Sequence, residues 1–211
     1  MDRYKEKELI RSINAVSETA FITLQCHAMD AMSASPILND KSADRILSFL
    51  KDMLSESNSP LHKKLIDNKV RKSLVTHIAL RARQYDAYIK AYLDRFPDAA
   101  VINIGCGLDN RFERIDNGRI RFFDLYLPDI MHIKSMLFRE KPGYTQLSQS
   151  VFELDWIDRI DAAHVMLVAE GVFMYCKEQD LKNLFRALQN KLNNPEIVFE
   201  VVNSKWLKGW R

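Results

Sequence analysis

The sequence predicts an α/β fold: a parallel sheet with crossover helices, preceded by an N-terminal helical region. Three observations carry this. No glycine precedes Gly105, and apolar residues before it recur at helical spacing. From Val101 onward, apolar runs of about five residues alternate with helical patterns. The first of these runs ends in Gly105-Cys106-Gly107 and the second in Asp124. Strands alternating with helices imply parallel βαβ units with right-handed crossovers.

Each element has a local reason. A helix from Ser17 carries Ala20, Leu24, His27, Ala28 and Ala31 on one face. Pro36 ends that region, and Asn39-Asp40 offers an N-cap to the next helix, whose stripe is Ile46, Leu47, Leu50, Met53 and Leu54. Ser55 to Pro60 is a polar connector. Leu61, Leu65, Val70, Leu74, Ile78, Tyr85, Ile89 and Leu93 then define one long helix or two consecutive ones, ending at Phe96-Pro97. Strands are expected at Val101–Ile104, Ile120–Phe123, Thr145–Val151, Val165–Ala169 and Ile197–Val202. The helical patterns between them are Pro128–Phe138, Trp156–Ile160 and Lys177–Leu192. Residues 1–96 therefore read as a helical lid or substrate region, packed on a core formed by residues 97–211 as one integrated domain.

Composition narrows the function classes. With 47% hydrophobic and 28% charged residues, the 211-residue chain is ordinary globular material with one sizeable core. The formal charge of +3 comes from scattered basic residues, which argues against a clustered nucleic-acid footprint. Cys26, Cys106 and Cys176 show no CxxC spacing, as expected of reduced thiols in a cytoplasmic protein. No apolar run approaches a membrane span, and the N-terminus is too polar for a secretory signal.

The glycine turn points to a nucleoside. In parallel sheets ligands bind beyond the carboxyl ends of the strands, where Gly105 to Gly107, Asp124, Ser150-Val151 and Glu170-Gly171 are expected to meet. A dinucleotide site wants G-x-G-x-x-G, with a helix N-terminus facing a pyrophosphate. Here the third glycine is absent, and Asp109 sets a negative charge where a pyrophosphate would lie. That disfavours NAD and FAD and suits a nucleoside without phosphate, such as S-adenosylmethionine (SAM). His27 sits on an apolar stripe, as core histidines do, and no residue presents itself as a catalytic base or metal ligand.

Three segments, Val101-Ile-Asn-Ile-Gly-Cys-Gly-Leu-Asp-Asn-Arg-Phe112, Phe123-Asp-Leu-Tyr-Leu-Pro128 and Ala169-Glu-Gly-Val-Phe-Met-Tyr175, resemble the leucine carboxyl methyltransferase family. Ala79-Leu-Arg-Ala-Arg-Gln-Tyr-Asp86 is similar to the family's Arg-x-x-Asp helix, and Pro36-Ile-Leu-Asn-Asp40 to its N-terminal segment. The resemblance implies a SAM-dependent methyltransferase with a Rossmann-like sheet and a small-molecule acceptor. By the same resemblance, Arg83 would clamp the methionine carboxylate, and Gly105, Cys106 and Gly107 would pass under methionine and ribose. Asp124, followed by Leu125, would accept from both ribose hydroxyls. Ser150 and Val151 would meet the adenine, and Glu170 would lie near the methionine amino group.

The chain departs from the usual pattern at Asn103, where an acid is common, and at Asp109, where a glycine is. Methyltransferase sheets of this class have about seven strands, and five are legible here, so the core is expected to be C-terminally short. Trp206 and Trp210 then stand near a sheet edge, to cover it or to form an interface. The expected activity is O-methylation of a carboxylate or hydroxyl on a polyketide-like or other metabolite. The alternatives are methylation of a protein C-terminal carboxylate, or an inactive SAM- or partner-binding module.

Overall fold

The computed structural model describes residues 15–55, 58–60, 63, 66, 67 and 70–201. Leu61, Leu65, Val202, Trp206 and Trp210 lie outside them. Among the described residues, the helices α1 (Ala15–Ala31), α2 (Ala43–Leu54) and α3 (Lys72–Arg95) lie ahead of the first strand. Then β1 (Ala100–Ile104), α4 (Arg111–Ile115), β2 (Arg121–Tyr126), α5 (Pro128–Leu137), β3 (Tyr144–Ser148), β4 (Val165–Ala169), α6 (Glu178–Lys191) and β5 (Glu196–Phe199) follow. Short 3-10 turns at Leu154–Arg159 and Phe173–Tyr175 flank β4.

Among the described residues, five strands form a wholly parallel sheet of order β3-β2-β1-β4-β5. The order reverses between β1 and β4, which makes their carboxyl ends the topological switch point. Both faces are covered. Ala100, Ile102 and Ile104 of β1 pack with Leu167 of β4, Trp156, and Leu184 and Leu188 of α6. Val101, Phe122 and Val168 face the other way, into a cluster that also contains Phe21 of α1, Leu50 of α2, Ile89 of α3 and Ile133 of α5. A sheet buried on both sides reads as continuous apolar runs, which is why β1 and β4 are buried at every position.

The helical half follows its stripes. Ile46, Leu47, Leu50, Met53 and Leu54 of α2 are all buried, as are Ile78, Tyr85, Ile89 and Leu93 of α3. The loop from α1 to α2 is tied by Asp30, whose carboxylate accepts the backbone N–H groups of Ile37, Leu38 and Asn39 at 2.8, 2.9 and 3.0 Å. Asp40 then accepts from Ser42 N–H and Oγ at 3.1 and 2.7 Å, turning the chain into α2. Among the described residues no helix is long and apolar enough to cross a membrane.

One apolar cluster contains residues of α1–α3 and of the sheet, so the two halves are expected to unfold together. Leu50→Ala in α2 and Ile102→Ala in β1, both fully buried, should each cost about 2–5 kcal/mol. Urea unfolding followed by circular dichroism and by tryptophan fluorescence should give one coincident transition for both variants. Separate transitions would mean that the helical half stands on its own.

Candidate functional site

A cavity of about 820 Å³ opens at the carboxyl edge of the sheet, at the switch point. Its floor is the turn after β1. Gly105 and Gly107 have φ of +66° and +53°, a region that favours glycine. At Gly105 a Cβ would run into the Val172 side chain, and at Gly107 it would stand 3.2 Å from Cβ of Ala20. Helix α1 therefore packs closely on the turn at Gly107, and Val172 fills the space beside Gly105.

Cys106, Leu125, Ser150, Val151 and Glu170 line the same cavity as the two glycines. Ser150 and Val151 follow β3, where the chain turns rather than extending the strand. Gln149 N–H bonds to Tyr126 O at 3.0 Å, and buried Trp156 donates its Nε1–H to Val151 O at 3.1 Å. That tryptophan is core rather than cavity wall, and so is Phe173, while Tyr175 is exposed and lines the cavity.

Two expected residues lie elsewhere. Arg83 is exposed and does not line the cavity; Arg81 does. Two helical steps are about 200° of rotation, so only one of the two arginines can face the sheet. Arg81 stands three residues after Ile78 and four before Tyr85, on the buried stripe. Asp124 is also absent from the lining. Its side chain points into the core on the Phe122 face of β2, with 2% of its surface exposed. There it accepts from Asn103 Nδ2 at 2.8 Å and Tyr144 OH at 2.7 Å, and Lys134 Nζ lies 2.7 Å away. A buried carboxylate needs such partners, and the ammonium of Lys134 has no exposed surface either.

The cavity wall is a chain of ion pairs. Arg81 Nε donates to Glu170 Oε1 at 2.8 Å, and Arg111 Nη2 donates to Glu170 Oε2. Arg111 also holds Asp86 of α3 at 2.8 Å and Asn103 of β1 at 3.0 Å. Arg114 reaches Asp86 at 2.6 Å, Asp109 at 2.7 Å and Asp40 at 3.1 Å. These links join α3, the β1 turn, the end of β4 and the segment before α2. Arg111 and Arg114 sit on the five-residue helix α4, where Arg111 is buried with Phe112 and Ile115 and Arg114 is partly buried. Their positions one turn apart among apolar neighbours were the sequence signal for a buried role.

Burial works to raise the Glu170 and Asp109 carboxyls, but adjacent arginines outweigh it. Arg111 and Arg81 hold Glu170 below the usual carboxylate range; Arg114 and Arg111 do the same for Asp109. The Cys106 thiol goes the other way, raised by burial and then by the Asp124 charge, so it stays protonated. His27 is buried and lines the cavity, with Nδ1 3.4 Å from Asp40 and 3.6 Å from Asp109. These three could offer ligand atoms within 4.8 Å of one another. Arg114 already donates to both carboxylates, so its guanidinium takes the place that a metal ion would need.

Fold and site together define a doubly wound α/β protein with a nucleoside-type pocket at its switch point. The chain belongs to the leucine carboxyl methyltransferase family, whose model matches residues 20–189. Among its relatives is the tetracenomycin polyketide synthesis O-methyltransferase TcmP of Streptomyces glaucescens, 29% identical across 92% of this chain and 68% of that protein. The S-adenosyl-L-methionine-dependent methyltransferase dpfgK of Gibberella zeae is 24% identical over the same shares. A solved structure of precorrin 8w decarboxylase from Methanobacterium thermoautotrophicum superimposes with a TM-score of 0.36 at 15% identity. It covers 52% of this chain and 58% of that one, a fit too loose to carry weight. Family membership makes the chain a methyltransferase by class, with SAM as its cofactor.

The depressed carboxyls fix a pH dependence. A group whose folded pKa lies below its unfolded value adds stability above the unfolded pKa and loses it as pH falls through the folded one. With unfolded values of about 3.9 for Asp and 4.3 for Glu, the urea midpoint should be flat from pH 7 to about 5 and fall below about pH 4. A midpoint that drops between pH 7 and 6 would show that other groups govern.

Proposed function

We propose that this chain transfers the methyl group of SAM to a carboxylate or hydroxyl oxygen of a small apolar molecule. The observation that carries the reading is the division of the cavity. Its sheet side offers the glycine turn, Arg81 and Glu170. Its helix side offers Ile22 of α1, Leu74 and Ile78 of α3, and Met174 and Tyr175 after β4. A volume of about 820 Å³ is within the range of small-molecule sites.

The residues fit the donor at its two ends. Arg81 would take the methionine carboxylate. Its bonds to Glu170 and Glu200 use Nε and Nη1, and a guanidinium has further donors on Nη2. Glu170, kept ionised by its arginines, would face the ammonium. Ser150 and Val151 would meet the adenine, and Gly105 to Gly107 would let the chain between them run close. SAM supplies an activated methyl group with a neutral thioether as leaving group. The protein's part is to align the acceptor oxygen with it and to exclude water, which the apolar helix side is built to do. An ionised carboxylate acceptor needs no base; a hydroxyl would benefit from one.

The test separates the two arginines. Calorimetric titration with SAM should show binding that Arg81→Ala weakens by about 10- to 100-fold, the worth of a charge-assisted contact. Arg83→Ala should leave it within about 3-fold, since one exposed charge is worth little. The reverse pattern would restore Arg83 as the clamp, and no SAM binding by a folded chain would sink the donor assignment.

A further inference from the structure

The acids in the cavity lining are, among the described residues, Asp109 and Glu170. Both are engaged: Asp109 by Arg114 at 2.7 and 3.0 Å, and Glu170 by Arg81 and Arg111. Asp124, the acid that β2 carries toward this edge, is locked under the sheet edge by Asn103, Tyr144 and Lys134. At the end of β2 the chain presents Tyr126 instead. It is half-buried and lines the cavity between Leu125 and Leu127. It follows Asp124 by two residues, so both lie on one side of the strand, but Tyr126 is the last residue of β2.

We propose that Tyr126, and not a carboxylate, meets the ribose of the bound cofactor, so that this chain recognises an adenosyl group with little dependence on its two ribose hydroxyls. The inference rests on the SAM reading above. Its chemistry is simple. An ionised carboxylate accepts from both hydroxyls of a cis-diol at once, and such charge-assisted bonds are about twice as strong as neutral ones. A phenol is a single neutral hydroxyl and cannot grip both in that way. The donor is then held by its methionine and adenine ends, and the sugar is accommodated rather than selected. Tyr126 becomes a specificity-determining residue because of the charge it does not carry.

The experiment is a calorimetric comparison of S-adenosylhomocysteine with its 2′-deoxy and 3′-deoxy analogues, with folding checked by circular dichroism. The wild type should bind either analogue within about 3-fold of the parent. Tyr126→Asp should bind the parent about 10-fold tighter and lose about 10-fold or more on each analogue, the worth of a hydrogen bond to a charged group. Asp124→Asn, if folded, should keep the wild-type affinity within about 3-fold. A wild type that loses 10-fold or more on a deoxy analogue, with no gain from Tyr126→Asp, overturns the proposal while leaving the cofactor intact. No binding of S-adenosylhomocysteine by folded wild type or Tyr126→Asp overturns the cofactor reading, and this one with it. Binding by Tyr126→Asp alone overturns this proposal, since the wild type would then hold no ribose for Tyr126 to meet.

Discussion

Everything at the carboxyl edge of this sheet depends on two arginines, one buried and one largely so, that share their carboxylates. Arg111 and Arg114 come from one short helix, yet between them they reach α3 at Asp86, the β1 turn at Asp109, the end of β4 at Glu170 and the approach to α2 at Asp40. Taking one such ion out of water costs several kcal/mol, and a pair recovers it only with good geometry and further hydrogen bonds. Here each carboxylate has more than one cationic neighbour or donor. A simpler apolar contact could hold the same elements together. It could not set charges of both signs around a cavity at fixed positions.

The glycine turn serves the same arrangement from the other side. Its close approach to α1 lets a helix from the N-terminal half form one wall of a pocket whose floor belongs to the sheet. Asp30 and Asp40 then shape the loop that returns from α1 to α2, and Asn110 ties the turn to Ser42 at 3.0 Å. The site is thus a joint product of the two halves of the chain, and neither half carries a complete version of it.

Much of this was legible in the sequence, and the misplacements have physical causes. The run Val101–Ile104 bounded by glycine could only be a buried strand. The α2 stripe and the part of the α3 stripe from Ile78 to Leu93 were read correctly because their apolar residues keep helical spacing, whereas Val70 precedes α3 and Leu74 is exposed. Strand β2 runs three residues past its expected end, since Asp124 marked a boundary that Leu125 and Tyr126 cross within the ladder. Strand β3 stops three residues early, at the turn that Trp156 fixes. Asp124 was misplaced because alternation says which residues share a face of a strand but not which face meets ligand. In a sheet buried on both sides that information is absent. The choice between Arg81 and Arg83 was, by contrast, available: the stripe through Ile78 and Tyr85 passes through Arg81. The partners Asn103, Lys134 and Tyr144 come from three different elements, and nothing local announces their meeting at Asp124.

The burial of the arginine network also sets how the protein responds to ionic strength. Salt screens charges that water can reach and acts weakly on those it cannot. The surface pairs Arg95–Glu196 and Lys182–Glu178 are about half exposed or more and open to screening. Arg111, Asp86 and Glu170 are less than one-tenth exposed. Added electrolyte therefore loosens the periphery, at the helix α6 surface and the β5 edge, before it touches the cavity wall. The architecture of the site is insulated from the salt content of its surroundings by the same burial that made its charges costly to assemble.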